Sequence, residues 1–343
     1  RVTPAEGETQ VSRSVEAGVF EPVETELAID ADDVVLATGS RPLALPGNPF
    51  AGALIDSTQA LELNTLPSSA VIIGAGAVAL EFASLWNAAG CEVTLLIRKD
   101  RVLSTWERRA SMTLTRELKR RGVNVIARTA VDRVDTGANL GATVHYRQGD
   151  SDEDRTAYGE VVLAAIGRVP NTDADWFRSS GLKLDERGYV TVDGYGRTNL
   201  DGVWALGDIT PGHALAHRAF EQGITIAEKI AGADPKPVID DTVPQVVFSF
   251  PEAASVGLTL DQAKAREDVV EPKETAYPML SNARMLMSGE GGSMTVVSGA
   301  FANNPDMQVV LGVHIVSPIA SDLIAEAEQL VGNRVPLADA ARL

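Results

Sequence analysis

Residues 70–101 read AVIIGAGAVALEFASLWNAAGCEVTLLIRKDR. An apolar run over 71–73 leads to small residues at 74, 76 and 79, then to apolar helix positions at Leu80, Ala83 and Leu85, and to a second apolar run over 93–97. This order predicts strand, tight turn, helix and strand, the unit that binds dinucleotides in α/β sheets. Gly74 and Gly76 would let the backbone turn tightly and approach a pyrophosphate. Ala79 fills the third small position, where helix and strand pack closely. The helix would offer its free N–H groups and positive end to the phosphates. A tight turn needs glycine on steric grounds alone, but the two strands at the expected distance favour a nucleotide site over a purely structural turn.

The chain has 343 residues, enough for two or three domains with a sizeable core. It carries 30 basic and 47 acidic residues, a formal net charge of -17. No basic patch stands out that would match a nucleic-acid backbone, so no nucleic acid is expected and the acidity reads as a solubilising surface. The longest apolar run, near 70–80, is too short for a bilayer, and no membrane span is expected. The single cysteine, Cys91, excludes an intrachain disulfide and reads as a small buried residue rather than a reactive thiol. The chain starts with Arg1 and ends within a helical pattern at Leu343, which reads as a fragment truncated at both ends.

Before the glycine stretch, alternating segments over 15–20 and 24–29 suggest a small antiparallel meander. A buried strand from 33 runs into the small-residue turn Thr38, Gly39, Ser40, and a short helix is expected over 59–63. Beyond it, residues 107–121 read as a surface helix with Met112, Leu114 and Leu118 as its apolar members, stopped by Gly122. Strands are expected over 123–127 and 130–134, with a hairpin or ribbon from 141. Residues 172–201 read as loop-rich, 215–230 as an amphipathic helix, and 244–256 as the opening of a third region with strands at 294–297 and 309–316 and a helix over 321–331. The four histidines, His145, His213, His217 and His314, are scattered without metal-ligand spacing, and His314 reads as a core or interface residue.

Two further features bear on function. VVLAAIGRVP at 161–170 echoes VVLATGSRP at 34–42, which suggests either two related nucleotide-binding modules or a chance likeness between apolar strands. GVWALGD at 202–208 is a buried strand ending in an acidic residue, where open α/β sheets keep their ligands. Asp208 could accept hydrogen bonds from a ligand hydroxyl or simply cap the next helix.

In their order, these motifs resemble the flavoprotein pyridine nucleotide-disulfide oxidoreductases, the family of dihydrolipoyl dehydrogenase, glutathione reductase, mercuric reductase and related NAD(P)H quinone reductases. The carriers are ATGSRP at 37–42, the motif at 74–81, IGRVPN at 166–171, GVWALGD at 202–208, LAH at 215–217, VFSFPEAASVGLT at 247–259 and LGVHIV at 311–316. The resemblance implies an α/β fold with two Rossmann-like nucleotide-binding domains, the FAD domain incomplete, and a C-terminal α+β dimerisation domain. The implied boundaries are 1–66 and 172–240 for FAD, 67–171 for NAD(P), and 241–343 for dimerisation, incomplete at its C-terminus.

Residue by residue, the resemblance implies that Thr38, Gly39 and Ser40 line the flavin nucleotide and that Asp208 holds its ribityl chain. Ala214, Leu215, Ala216 and His217 would bring a helix N-terminus to the flavin ring, His217 chiefly through its backbone. Gly74, Ala75, Gly76, Ala77, Val78 and Ala79 would bind the nicotinamide coenzyme's pyrophosphate, with Val131, Gly167 and Arg168 flanking the dinucleotide. Glu81 would sit near the flavin face in a supporting role; the lysine that pairs with it in the family is absent from this chain, and the redox cysteine pair and C-terminal His-Glu are expected outside it.

The coenzyme is read from the end of the second strand. NAD-preferring enzymes usually carry Asp or Glu there for the ribose 2′-hydroxyl. Here Ile97 is followed by Arg98, Lys99 and Arg101. A charge-assisted contact from Arg98 to a 2′-phosphate would contribute about 1.5–3 kcal/mol, so NADPH is favoured over NADH. The alternative is a solvated basic turn, and Ser104 stands where glutathione reductases tend to carry another arginine. The expected function is hydride transfer between NAD(P)(H) and FAD and on to a disulfide, most like dihydrolipoyl dehydrogenase, in a cytoplasmic homodimer. The alternatives are an NADPH-dependent quinone or other disulfide reductase, and a non-catalytic nucleotide-binding redox sensor.

Overall fold

In the computed structural model, which describes residues 11–16, 19–23, 30–137 and 141–342, strand Ser69–Ile73 runs through a turn at 74–76 into helix Ala77–Ala88. Four more strands lie parallel to it, in the order 54–55, 161–164, 69–73, 92–97, 124–127. The apolar runs are continuous because both faces of this sheet are covered. Ile72, Leu95 and Leu163 pack against helices Ala77–Ala88 and Arg108–Arg120. Val71, Leu96 and Val162 point the other way, onto Val144 and Tyr146 of an antiparallel ribbon. Burying each of these large side chains fully stabilises the fold by about 1.5–3 kcal/mol. The ribbon is the hairpin expected after 141, extended to three strands, Thr129–Thr136, Ala142–Gln148 and Arg155–Gly159.

Two helices differ from their expectations. The first covers Ser57–Leu61 rather than 59–63, because the Asp56 carboxylate accepts from the N–H groups of Thr58 and Gln59 at 2.8 and 2.9 Å while the Gln59 side chain accepts from the Asp56 N–H. This capping box fixes the start two residues earlier. The second, Arg108–Arg120, is the surface helix expected, but Met112 is not on its buried face. Ala110, Leu114 and Leu118 follow one another at single turns and are buried, whereas Met112 is 53 % exposed. Residues two apart lie about 200° apart around a helix, so Met112 and Leu114 cannot share a face. Gly122, at φ 104°, follows the last turn as expected. Within 172–201, read as loop, a short helix forms at Asp175–Ser179.

The echo between 34–42 and 161–170 has a structural counterpart. Each apolar strand, Val34–Leu36 and Val161–Ala164, is followed through a glycine by a short strand, and the two short strands, Ser40–Pro42 and Arg168–Pro170, pair antiparallel with Arg41 opposite Val169. The Leu43 N–H donates to the Gly167 carbonyl at 3.0 Å, and the Asn171 N–H donates to the Gly39 carbonyl at 2.9 Å. The equivalent bonds run in both directions, so the two short strands are related by an approximate local twofold.

The chain forms two compact units, residues 1–38, 172–211 and 219–238 in one and 39–171, 212–218 and 239–343 in the other. In the smaller, Val34–Leu36 pairs in parallel with Val203–Ala205, over a core of Phe177, Leu182, Val190, Ala205 and Ile209. Its antiparallel pair Val11–Glu16 and Val19–Val23 spans the meander expected at 15–20; the stretch 24–29 lies outside the described residues. The larger unit ends in a five-stranded antiparallel sheet, ordered 245–247, 252–257, 304–317, 293–301, 269–278, with helix Ala320–Gly332 packed on it.

His314 is buried in that sheet. The Ser255 hydroxyl donates to its Nδ1 at 2.7 Å and its Nε2 donates to the Leu258 carbonyl at 3.2 Å. Burial holds its pKa below the ordinary histidine value, so it is a neutral, satisfied core residue. Burial also pushes the Cys91 thiol up to about 11, which leaves it protonated and unreactive near neutrality. Among the described residues no helix is long and apolar enough to cross a membrane, and no three metal-ligating side chains converge.

Leu114→Ala is expected to cost about 2–5 kcal/mol of unfolding free energy in a urea titration, and Met112→Ala less than about 0.5. Equal losses would show that the helix does not present the face described.

Candidate functional site

The glycine turn is shaped by a close backbone crossing. Gly74 has φ 147°, and a Cβ placed on it would lie 2.2 Å from the Ala165 carbonyl oxygen, where no side chain fits. Its N–H donates to the Leu96 carbonyl at 3.1 Å, which ties the turn to the neighbouring strand. Gly76 is the N-cap of helix Ala77–Ala88 and supplies no capping side chain. A Cβ added there meets nothing within 4 Å. The first N–H groups of a helix have no partner within it, and here they open onto free space at the positive end of the dipole, a ready anion site. Ala79 is fully buried beneath the turn, and only 3.2 Å would separate its Cβ from a Cβ at 74.

The turn opens on a cleft of about 840 Å³ within the larger unit. The structure brings to its walls Gly74, Ala75, Gly76, Ala77 and Val78, the basic pair Arg98 and Lys99, Val131, Gly167 and Arg168, and, from the approach to helix Ala216–Ile230, Ala214 and Leu215. Ala79 supports the turn from below. Glu81 is not a wall residue: its Oε1 accepts from the Phe248 N–H at 3.0 Å. Ala216 and His217 begin the helix, and His217 Nε2 donates to the Pro244 carbonyl at 2.8 Å. Gly39 and Ser40 sit at the paired connector, where the Ser40 hydroxyl and carbonyl both accept from the Arg168 guanidinium at 2.7 Å. Thr38 and Asp208 belong to the smaller unit. Asp208 lies in the 3-10 turn Gly207–Ile209 directly after strand Val203–Ala205, and the Gly207 N–H donates to Gln222 Oε1 at 2.8 Å.

The sequence reading did not assign several wall residues. Ser104, Thr105 and Trp106 form one side, and His213 and Gln245 face each other at 3.3 Å between ring and amide nitrogens. Nothing in local spacing marks the latter pair, which lies 32 positions apart. A larger cleft of about 1030 Å³ lies between helix Arg108–Arg120 and the C-terminal sheet. It shares the 104–106 wall but does not reach the glycine turn, so the smaller cleft is the better candidate.

The family model for pyridine nucleotide-disulphide oxidoreductases matches residues 1–223, and the model for their dimerisation domain matches 243–343. The chain belongs to this family. The fold is accordingly α/β, with the nucleotide-binding part followed by the dimerisation domain. Among curated relatives, dihydrolipoyl dehydrogenase of Geobacillus stearothermophilus is 37% identical over 300 residues, 86% of this chain and 60% of that protein. Dihydrolipoyl dehydrogenase of Cupriavidus necator is 37% identical over 302 residues, 87% of this chain and 61% of the relative. The chain thus spans about six-tenths of the length of these relatives. Among solved structures, LpdA from Mycobacterium tuberculosis superposes with a TM-score of 0.81 at 28% identity, covering 100% of this chain and 71% of that one. The HOCl-induced flavoprotein disulfide reductase RclA from Escherichia coli shares the fold, with a TM-score of 0.76 at 24% identity over 90% of this chain and 69% of that one.

In this chain, Gly76→Val separates binding from folding, because the added side chain has room but occupies the space over the helix N-terminus. The variant is expected to melt within about 2 °C of the parent and to lose about tenfold or more in dinucleotide affinity. Unchanged affinity in a titration would remove the turn from the binding site.

Proposed function

We propose that this chain is the nucleotide-binding and dimerisation part of a homodimeric, FAD-dependent oxidoreductase that exchanges hydride with NAD(P)(H) and passes electrons to a disulfide, of the dihydrolipoyl dehydrogenase type. The observation that carries the proposal is the single cleft that joins an uncapped helix N-terminus at 76–78, a basic loop at 98–99 and the approach to a second helix at 213–215. The curated relatives named dihydrolipoyl dehydrogenase support the reaction type, and the match to the dimerisation model supports a homodimer. In this reading, 67–171 holds the nicotinamide coenzyme, 1–66 and 172–240 hold FAD, and 241–343 makes the dimer.

When bound, the two cofactors supply the hydride chemistry; the chain's part is to place and polarise them. The N–H groups at 77–79 would hold the pyrophosphate, which Gly76 admits because it has no side chain. Arg98 and Lys99, exposed at the end of strand Glu92–Ile97, would meet the adenosine end and, through charge, a 2′-phosphate. Val131 and Gly167 would flank the dinucleotide, and Arg168, tied to Ser40, would hold the connector at the cleft edge. Thr38, Gly39, Ser40 and Asp208 would line FAD, with 214–217 presenting a helix start to the flavin ring, and Glu81 would support the flavin face. Disulfide exchange needs thiols other than Cys91, which is buried and protonated.

Full-length protein purified with bound FAD should oxidise NADH or NADPH with a small disulfide such as lipoamide as acceptor. Turnover with quinones but no disulfide would move the assignment to a quinone reductase. A colourless protein that added FAD cannot activate with any acceptor would overturn the proposal in favour of a non-catalytic sensor. Arg98→Glu is expected to raise the KM for NADPH about tenfold or more while changing that for NADH less than about threefold; equal changes would show that Arg98 does not read the phosphate. Asp208→Ala should lower retained flavin at least about twofold after dialysis, and unchanged content would refute its role.

A further inference from the structure

The basic loop between strand Glu92–Ile97 and helix Arg108–Arg120 is held by hydroxyls on the far side from the cleft. The Ser111 hydroxyl donates to the Leu103 carbonyl at 2.6 Å. One turn on, the Thr115 hydroxyl donates to the Ser111 carbonyl at 2.7 Å and accepts from the Val102 N–H at 3.2 Å. Leu103 has φ 45°, a left-handed backbone that a leucine adopts only when its surroundings hold it there. Its N–H donates to the Ala75 carbonyl at 2.9 Å, inside the glycine turn. Other bonds close the loop: the Arg128 N–H donates to the Lys99 carbonyl at 3.0 Å, and Arg101 reaches the Ser104 carbonyl at 3.2 Å.

We propose that Ser111 and Thr115 are positioning residues for the coenzyme's adenosine end, acting through Val102 and Leu103 on the loop that carries Arg98 and Lys99. Neither side chain lines the coenzyme cleft, and Ser111 has no exposed surface. Their side-chain hydrogen bonds lead to the cleft through the loop, at Val102 and Leu103. Leu103 lines the cleft and is bonded to the glycine turn on one side and to Ser111 on the other, so the two phosphate-facing segments share one anchor. Losing an anchor lets the loop explore other conformations, and the bound coenzyme must then restore the order at a cost in affinity. A ligand without the adenosine end has nothing for the loop to meet and should not register the change. This proposal rests on the cleft being the nicotinamide-coenzyme site.

The test uses full-length, FAD-loaded protein carrying Thr115→Val, which keeps the shape and removes the hydroxyl, and Thr115→Ser, which keeps it. Thr115→Val should raise the KM for NADPH and NADH about two- to tenfold with kcat within twofold, and Thr115→Ser should restore the parent value. Reduced nicotinamide mononucleotide, which lacks the adenosine half, should show the same KM with all three proteins. Ser111→Ala, checked for an unchanged melting temperature, should behave as Thr115→Val. Coenzyme affinity is also read without turnover, from quenching of tryptophan fluorescence, so that a protein that binds but catalyses nothing would sink the functional reading and leave this one standing. Unchanged dinucleotide affinity in Thr115→Val, or an equal rise for the mononucleotide, would overturn the proposal, as would a parent protein that binds no dinucleotide.

Discussion

The close crossing at Gly74 is the constraint on which the larger unit depends. The Ala165 N–H donates to the Ile73 carbonyl at 2.9 Å while the Gly74 N–H donates to that of Leu96, so the central strand ends between two neighbours that both hold it. Only a residue without Cβ allows this, since any side chain at 74 would overlap the Ala165 carbonyl. The turn that results aims helix Ala77–Ala88 so that its start faces the cleft while Ala79, Leu80 and Ala83 bury its opposite side. The opening of the helix start onto the cleft and the packing of its far side are thus two consequences of one backbone path. The same path brings Ala75 within reach of Leu103, and through it fixes the basic loop.

How much of this is legible in the sequence follows from where each determinant lies. The strand, turn and helix of 70–101 are readable because apolar periodicity and glycine spacing act within a few residues, and the structure places all three there. The orientation of helix Arg108–Arg120 is less so. The nine basic residues over 98–121 suggest a solvated surface, yet Leu114 and Leu118 turn inward while Met112, Lys119 and most of the helix's arginines stay in water. The repeat between 34–42 and 161–170 is visible in the sequence, but the antiparallel pairing of its two ends is not, because it joins segments 128 residues apart. Likewise Ser104, Thr105 and Trp106 carry no motif, and they become cleft walls through hydrogen bonds that converge on Leu103.

The charge distribution gives the site its sign. Against a net charge of -17 for the whole chain, residues 98–121 hold nine basic and three acidic residues. A locally positive segment on an acidic protein concentrates anionic ligands near itself while the remaining surface repels them. Because Arg98 and Lys99 are exposed, their contribution is screened by salt and acts as a difference between ligands rather than as bulk affinity. On the function proposed above, coenzyme preference would be set by how well the loop is held. A guanidinium that can swing away discriminates little between one phosphate more or fewer, whereas a fixed one does.

The dimerisation domain is not an appendage to this site. Its entry segment, 244–251, crosses from the cleft to helix Ala77–Ala88. The Pro244 carbonyl accepts from His217, Gln245 faces His213 on the cleft wall, the Phe248 N–H is taken by Glu81, and the Phe250 N–H by the Ser84 hydroxyl at 2.7 Å. Arg121, from the end of the helix that bears Ser111 and Thr115, stacks its guanidinium 3.8 Å from the centre of the Phe250 ring. One short strap therefore bonds the approach and start of helix Ala216–Ile230, the body of helix Ala77–Ala88 and the residue that follows helix Arg108–Arg120. Displacing it would loosen the 213–215 wall and the helix behind the glycine turn together, since the bonds run through the same eight residues. The carboxy-terminal sheet, far from the glycine turn in sequence, is in this way part of what keeps the cleft in shape.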